Sequence, residues 1–341
     1  MKYIVKILAF LILIVTSSCL DDNNLLTNKI EFDQTAKILR YIESTGDYAN
    51  TNLAPALVSA TDLFNNITQY FVLDIRTSQE FLVGHISSAM NISNSKLYET
   101  VDSLYAVNPS KKIVVVSKNG QASAYYVCLL RLAGFTNIYS LRFGMASWNI
   151  VFANEWNAAL GNSVFPFSNI DYPKRPFTNL PTLEFPPSLS SVKEKTIFRI
   201  KELINNGFLS GISYEEYFSS EVFNSYFLIC YGQVRLYSDY LGGGAGHPKN
   251  TVWFKDSTLF EFRSTNSLQT LPIDQSILIY SGDGHLSACM AAYLRLLGYD
   301  VKTLLFGANQ LFYSRLVTTP AISNNAFTSS DIMNYPYTAG N

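Results

Sequence analysis

The sequence predicts an α/β protein with two domains, each a parallel sheet flanked by helices on both faces. Short apolar runs alternate with helical stretches along most of the chain, and this alternation is typical of parallel sheets whose strands are joined by helices. One unit of strand, loop and helix occurs twice, and a proline-rich segment separates the two occurrences. The chain of 341 residues also has room for two domains of ordinary size.

The repeated unit is a buried strand followed by a tight glycine-containing loop and a helix. Its strands are predicted at 113–116 and 277–280, and its loops begin at Ser117 and Ser281, which lie 164 residues apart. A period of this length indicates a duplicated domain rather than a solenoid. We therefore expect both halves of the chain to have the same fold.

Periodicity and end signals predict the other elements in order. We expect helices over 36–44, over 61–66 with Thr61 as its N-terminal cap, and over 192–206. Further strands are predicted at 71–74 and 226–229.

Changes in composition predict the domain boundaries. Six of the twelve prolines fall between positions 166 and 187, which indicates an extended linker. The predicted segments are a signal peptide at 1–18, a polar tether at 19–30, domain 1 at 31–160, the linker at 161–190, domain 2 at 191–322 and a polar, loosely held tail at 323–341.

The N-terminus has the features of a targeting segment. Lys2 and Lys6 are followed by a short apolar run, then by small residues and Cys19. This order resembles a bacterial lipoprotein signal, in which the cysteine becomes the lipidated first residue, and the alternative is an ordinary secretory signal. The resemblance implies a lipid-anchored protein of the bacterial cell envelope, at the outer membrane, either periplasmic or surface-exposed.

Composition argues against several classes of function. The formal net charge is −1 and no basic block occurs, so we expect no nucleic-acid partner. The chain has four cysteines and no C-x-x-C motif, so neither a zinc site nor a redox dithiol is indicated. We expect no metal and no cofactor.

The two loops are predicted to form anion cradles, because backbone N–H groups and a helix N-terminus converge there. A cysteine at the first loop position would have a lowered pKa and act as a nucleophile. We expect Ser123 and Ser287 to cap the helices that follow, and Gly134 and Gly298 to end them. The cradle residues are Ser117, Lys118, Asn119, Gly120, Gln121, Ala122 and Ser123 in the first loop, and Ser281, Gly282, Asp283, Gly284, His285, Leu286 and Ser287 in the second.

The first half resembles a rhodanese-like domain over 57–148. Asp74 and Arg76 stand in a D-x-R motif, and Gly84 and His85 open a G-H-I motif, as in that family. The resemblance implies structural roles for these four residues. The second half is similar to the same family more weakly: Gly-His-Pro at 246–248 stands for the G-H-I motif, and Cys230 takes the place of Asp74.

The resemblance implies the fold and argues against the activity. The family's catalytic cysteine opens the loop, and this chain has Ser117 and Ser281 there. A serine cannot carry a sulfane sulfur, and its hydroxyl pKa lies far above that of a thiol. A phosphatase is also disfavoured, because the related phosphatases close the loop with an arginine where this chain has Ala122–Ser123 or Leu286–Ser287.

Several residues have competing interpretations. Ser117 is interpreted as a degenerate position rather than a nucleophile, and His85 as structural rather than a base. Asp283 and His285 suggest a serine triad, although neighbours in one loop rarely reach that geometry. Cys128 and Cys289 are predicted to be core thiols, whereas Cys230 is a candidate replacement thiol near the second loop. If either cradle binds an anion, we predict the first, because Lys118 favours an anion and Asp283 disfavours one.

The preferred hypothesis is a catalytically degenerate tandem lipoprotein that serves as a binding or scaffolding module for a small anion or a partner protein. The main alternative is the family's enzymatic activity, a thiosulfate-type sulfurtransferase. A third is a purely structural envelope component, which would bind no ligand.

Overall fold

The structure is a computed structural model, and it describes residues 34–162, 167–208, 211–212, 225–238, 246–255, 262–263 and 265–340. The predicted signal peptide and the whole predicted tether, including Cys19, therefore lie outside the described residues. Within the described ranges, no helix is long and apolar enough to cross a membrane.

The first half contains a five-stranded parallel sheet with the order β1-β5-β4-β2-β3. Its strands are β1 Leu57–Val58, β2 Tyr70–Asp74, β3 Met90–Asn91, β4 Lys112–Val116 and β5 Ile138–Leu141. Its helices are α1 Gln34–Ser44, α2 Ala60–Asn65, α3 Ser78–Val83, α4 Asn94–Val107, α5 Gln121–Leu132, α6 Met145–Trp148 and α7 Asn154–Ala159.

The second half repeats this strand order. A short strand β6 Phe167–Ser168 precedes it and pairs with β9 His247–Pro248. The parallel sheet has the order β10-β8-β11-β12-β7, which from its other edge matches that of the first sheet. Its strands are β7 Gly211–Ile212, β8 Phe227–Tyr231, β10 Thr251–Phe254, β11 Ile277–Tyr280 and β12 Val301–Leu304. The helices are α8 Val192–Asn205, α9 Val234–Tyr237, α10 Thr265–Leu268, α11 His285–Leu296, α12 Ala308–Leu311 and α13 Tyr313–Thr318.

The predicted fold class is confirmed, since both halves are parallel sheets flanked by helices. The central strands β4 and β11 are buried because helices cover both faces of each sheet. Helices α5 and α11 follow these strands, are buried on nearly every side, and share one continuous core. They lie where the two halves meet, so the interface between the halves is built around the two repeated loops.

The helix ends are partly as predicted. Gly134 follows α5 with a positive φ and closes a Schellman motif, in which its N–H donates to Arg131 and the next N–H to Leu130. Gly298 closes α11 in the same way. The prediction of Thr61 as a cap is wrong, because Ser59 precedes the helix and its hydroxyl accepts the N–H of Asp62.

The prediction that Ser123 and Ser287 cap their helices is also wrong. The caps are Gly120 and Gly284, whose φ angles of 87° and 83° allow the tight turn from loop to helix. The serines therefore lie within the first helical turn, and the Ser123 hydroxyl donates back to the Gly120 carbonyl at 2.9 Å.

The C-terminal tail is not loosely held, contrary to expectation. It returns from the second half and packs along the first. Tyr335 stacks on Phe64 with ring centroids 4.0 Å apart, and Trp148 donates its indole N–H to the Pro336 carbonyl. Thr338 pairs with His85 as an isolated antiparallel bridge. The tail is polar on average, but its aromatic residues bury enough apolar surface to hold it in place.

Candidate functional site

Ser117 lies at the end of β4, and its own loop surrounds it. Its hydroxyl oxygen accepts the N–H of Gly120 at 3.1 Å and that of Ser123 at 3.3 Å. It also lies 3.0 Å from the Ser123 hydroxyl, which is itself 2.7 Å from that of Ser140. The residue is only 4% exposed. The loop amides that would stabilise an anion therefore already donate to an internal hydroxyl.

Ser281 has an equivalent environment at the end of β11 and is 1% exposed. Its hydroxyl accepts the N–H of Ser287 at 3.0 Å and donates to the Ser287 oxygen at 3.2 Å. Thr303 donates to that oxygen at 2.7 Å, as the counterpart of Ser140 in the first half. Both serines thus belong to buried hydroxyl networks.

Each loop also supplies a side-chain oxygen to its own amides. Asn119 accepts the N–H of Gln121 at 3.1 Å, and Asp283 accepts the N–H of His285 at 3.1 Å. Burial raises the pKa of Asp283, but His285 and Arg142 outweigh it and lower that pKa to about 2. The second loop therefore holds an anion of its own, which is hydrogen-bonded to a loop N–H.

A side chain from each loop enters the other half. His285 Nε2 accepts the backbone N–H of Phe143 at 3.0 Å, and Gln121 Oε1 accepts that of Phe306 at 2.9 Å. His285 and Gln121 are the first residues of α11 and α5, so the two contacts are equivalent.

The same two side chains fill the space beside the glycines of the opposite loops. A Cβ atom on Gly120 would lie 2.3 Å from His285 Nε2, and one on Gly284 would lie 2.5 Å from Gln121 Oε1. The rings of Phe143 and Trp156 pack around His285, which is fully buried. Each cradle is therefore closed by the other half of the molecule.

The hydrogen bond between His285 and Phe143 decides whether His285 could act as the base of the suggested triad. His285 Nδ1 lies 3.2 Å from Asp283 Oδ1, as in an acid–base pair. However, the Nε2 lone pair is directed at the N–H of Phe143, so the ring offers no free base to a serine hydroxyl. Asp283 and His285 come together as the sequence suggested, but the pair serves the interface between the halves.

Lys118 points away from the closed cradle into a neighbouring cavity of about 260 Å³. Its ammonium lies 2.6 Å from Glu155 and 3.4 Å from Glu80. The hydrogen bond to Glu155, followed by the other contacts with the two carboxylates, raises the pKa of Lys118 despite its partial burial. Anion binding by the first loop stays a prediction, and these two carboxylates offset the charge that favoured it.

The four motif residues of the first half form a buried support next to that cavity. Arg76 forms an ion pair with Asp74 at 2.6 Å and donates to the Gly84 carbonyl at 2.7 Å. His85 Nδ1 lies 2.9 Å from the Phe81 carbonyl, and its ring stacks on Phe81 at 3.7 Å. These contacts are structural in kind, because each polar group is directed at the protein's own backbone or at an internal charge.

Known proteins are similar in sequence to the first half of the chain. The model of the rhodanese-like domain matches residues 59–150. A curated thiosulfate sulfurtransferase GlpE of Pseudomonas aeruginosa is 35% identical over 81 residues, which are 24% of this chain and 71% of that protein. The chain belongs to the rhodanese-like family. A GlpE of Pseudomonas fluorescens is 28% identical over 92 residues, or 27% of this chain and 80% of that one.

Solved structures of rhodanese-like proteins are also similar to it. A rhodanese-related protein from Thermoplasma volcanium is 35% identical, with 27% of this chain and 87% of that chain covered and a TM-score of 0.24. A thiosulfate sulfurtransferase from Pseudomonas aeruginosa is 12% identical, with 79% and 46% covered and a TM-score of 0.28.

The second half of this rhodanese-like protein lies outside the residues that the family model matches, yet it rebuilds the same support. His247 Nδ1 lies 2.9 Å from the Tyr237 carbonyl, and its ring stacks on Tyr237 at 3.7 Å, as His85 does on Phe81. Arg315 donates to the carbonyls of Gly246 and Leu236. Arg315 lies in α13, but its bond to the Gly246 carbonyl is the counterpart of the bond from Arg76 to the Gly84 carbonyl. Arg315 is not recognisable from the sequence, because the family motif has its arginine next to the strand end and Arg315 lies far from β8 in the chain.

The cysteines offer this rhodanese-like chain no substitute nucleophile in the described residues. Cys230 is paired in register with Tyr280, but its side chain packs in the core with Leu228 and Leu278. Burial raises its pKa to about 12. Cys128 and Cys289 are fully buried on α5 and α11, and burial also raises the pKa of Cys128. A thiolate is therefore disfavoured near neutral pH at Cys128 and at Cys230.

Proposed function

We propose that this protein is a catalytically inactive tandem member of the rhodanese-like family that acts as a binding or scaffolding module. One observation carries the proposal. Serine occupies both nucleophile positions, and each loop is closed by a side chain from the opposite half.

Chemistry supports the inactive assignment at both positions. Sulfur transfer requires a thiolate that takes up a sulfane sulfur, and a serine hydroxyl neither ionises near neutral pH nor forms a stable bond to it. His285 also fills the space beside Gly120 in the first loop, which leaves the loop less room for a second sulfur atom.

The proposal includes a lipid anchor at Cys19 and a location in the bacterial cell envelope, at the outer membrane on its periplasmic or outer side. The order of basic, apolar and small residues before Cys19 supports it. Cells grown with a radiolabelled fatty acid should label the wild-type protein but not a Cys19→Ala variant, and only the wild type should sediment with membranes. Equal labelling of both would remove the anchor from the proposal.

The alternative is a thiosulfate sulfurtransferase, as the names of the curated relatives suggest. The deciding experiment supplies the full-length protein with thiosulfate and cyanide and measures thiocyanate. We expect no formation above that of a heat-inactivated sample. A rate that is proportional to protein concentration would overturn the inactive assignment in favour of the enzyme.

A further inference from the structure

Two equivalent arginines differ in whether they have a carboxylate partner. Arg131 at the end of α5 donates from Nε to the Ile138 carbonyl at 2.8 Å, and Arg295 at the end of α11 donates to the Val301 carbonyl at 3.3 Å. Arg295 also lies 3.7 Å from the carboxylate of Asp300. The residue before Ile138, at the position equivalent to Asp300, is Asn137. The first half therefore keeps the arginine but lacks its acid.

Aromatic rings hold the guanidinium of Arg131 in place. Its central carbon lies 5.1 Å from the ring centroid of Tyr48 and 4.9 Å from that of Tyr139. Cation–π contacts of this kind orient a guanidinium without using its outer N–H groups. Among the residues that the structure describes, no carboxylate forms an ion pair with Arg131. Its terminal nitrogens thus remain suited to a planar, two-oxygen acceptor.

Arg131 lines a groove of about 720 Å³. Threonine hydroxyls and apolar side chains share its walls, and Leu53 at its edge is 61% exposed. A neighbouring cleft of about 200 Å³ adds the ammonium group of Lys193. Tyr48, Leu53, Leu57, Arg131 and Tyr139 are among the residues that line the groove.

Asp47 in that cleft does not supply the missing partner. Its carboxylate accepts a hydrogen bond from Asn50 at 2.9 Å and lies 3.4 Å from Arg263 Nε. The cationic residues that line the groove and the cleft are Arg131 and Lys193.

We propose that this groove binds a small carboxylic acid with an apolar or aromatic body, and that its carboxylate pairs with Arg131. The second half suggests that the ligand has a carboxylate, because there the carboxylate of Asp300 pairs with the equivalent arginine, Arg295. The tyrosine rings and aliphatic side chains around Arg131 favour a ligand whose remaining part is apolar or aromatic. The site would give a binding module its ligand, and it lies apart from the closed loops, so each proposal can fail alone.

The experiment titrates the full-length protein in detergent with phenylacetate and with a tripeptide that ends in phenylalanine. The amide of each probe is the control. We expect saturable binding of at least one acid and about tenfold weaker binding of its amide, because a charge-assisted pair is lost. The acid that binds more tightly tells whether the natural source is a free acid or a peptide C-terminus. No saturable binding, or equal binding of acid and amide, would overturn the proposal.

One variant tests the role of Arg131 without removing it. Asn137→Asp supplies the first half with the acid that the second half already has, and it should weaken binding of the acid about tenfold. Asn137→Ser is the matched control, since it also loses the bond from Asn137 to the Pro109 carbonyl but adds no charge. Circular dichroism checks that both variants fold. Unchanged affinity in folded Asn137→Asp would contradict the proposed pairing.

Discussion

His285 Nε2 accepts the backbone N–H of Phe143 at 3.0 Å, across the interface between the two halves. The acceptor is the first residue of α11, and the donor lies in the turn after β5, next to the loop that begins at Ser117. Gln121 makes the reciprocal contact with Phe306 at 2.9 Å. Each loop thus closes the other, and the buried faces of α5 and α11 hold the arrangement together.

This closure predicts that a thiol at position 117 is not sufficient for sulfur transfer. We expect Ser117→Cys to acquire little persulfide from thiosulfate, because His285 occupies the space beside Gly120. The double variant with His285→Gly should acquire it at least about tenfold faster, since access and the thiolate are then both present. Mass spectrometry of the intact protein detects the added sulfur atom.

The matched control for this prediction is in the second loop. Ser281→Cys with Gln121→Gly opens the equivalent space but leaves the carboxylate of Asp283 on the loop amides. We expect it to stay less reactive than the first pair, because that carboxylate repels thiosulfate. Rapid persulfide formation in Ser117→Cys alone would show that the loop is open.

The lowered pKa of Asp283 predicts that the folded protein loses stability in acid. Its pKa in the folded protein is about 2, below the ordinary value of 3.8. The stabilisation is therefore present above pH 3.8 and is lost as the pH falls through about 2; its size is about 2 kcal/mol. Urea unfolding of wild type and Asp283→Asn at pH 7 and at pH 2 measures it. The difference in unfolding free energy should shrink toward pH 2, and a difference that is constant with pH would contradict the assignment.

The contacts of the C-terminal tail with the first half predict that the tail contributes to the stability of the folded protein. Tyr335→Ala removes the stack on Phe64 and the edge contact with Trp148, whose ring centroids lie 4.0 and 5.2 Å from that of Tyr335. We expect a loss of about 2 kcal/mol in unfolding free energy, toward the low end for an aromatic truncation because the residue is half-buried. Ala339→Ser in the exposed end of the tail is the control and should leave stability unchanged. Equal stability of Tyr335→Ala and wild type would mean that the tail is only loosely attached.

Arg315 predicts that the second half depends on an arginine outside its expected motif. Arg315→Gln leaves the Gly246 and Leu236 carbonyls without their donor, and should lower the unfolding free energy by about 2 kcal/mol. Arg175→Gln removes a surface pair with the largely exposed Asp274 and a 5.8 Å contact with the Phe227 ring, and should cost at most about 1 kcal/mol. Chemical denaturation compares the two variants. A smaller effect for Arg315→Gln than for Arg175→Gln would exclude a supporting role for Arg315.

The complete burial of Cys230 predicts that its thiol is unreactive in the native protein. Burial raises its pKa to about 12, so the thiolate is scarce near neutral pH and reagents have no access to it. Iodoacetamide should leave this residue unmodified in buffer at neutral pH and modify it in urea, as peptide mass spectrometry will show. Cys128 and Cys289 are the internal controls, because both are also fully buried. Fast alkylation of Cys230 alone would restore it as a replacement nucleophile.

The α/β class, the central strands and the repeated loops can all be predicted from the order of the residues. These features follow from local patterns: apolar runs such as 113–116 bury on both faces, and Gly134 ends its helix by adopting a positive φ. The serine at each loop opening is likewise visible without a structure, and it argues against sulfur chemistry on chemical grounds alone.

The surroundings of those serines, in contrast, depend on long-range packing. The contacts of His285 with Phe143, of Arg315 with Gly246 and of Tyr335 with Phe64 join residues that are far apart in the chain. Each depends on how whole helices and the tail pack, which no local pattern specifies. The same holds for Arg131: that no carboxylate of the described residues pairs with it, whereas Asp300 pairs with Arg295, becomes apparent only when both halves are compared in three dimensions.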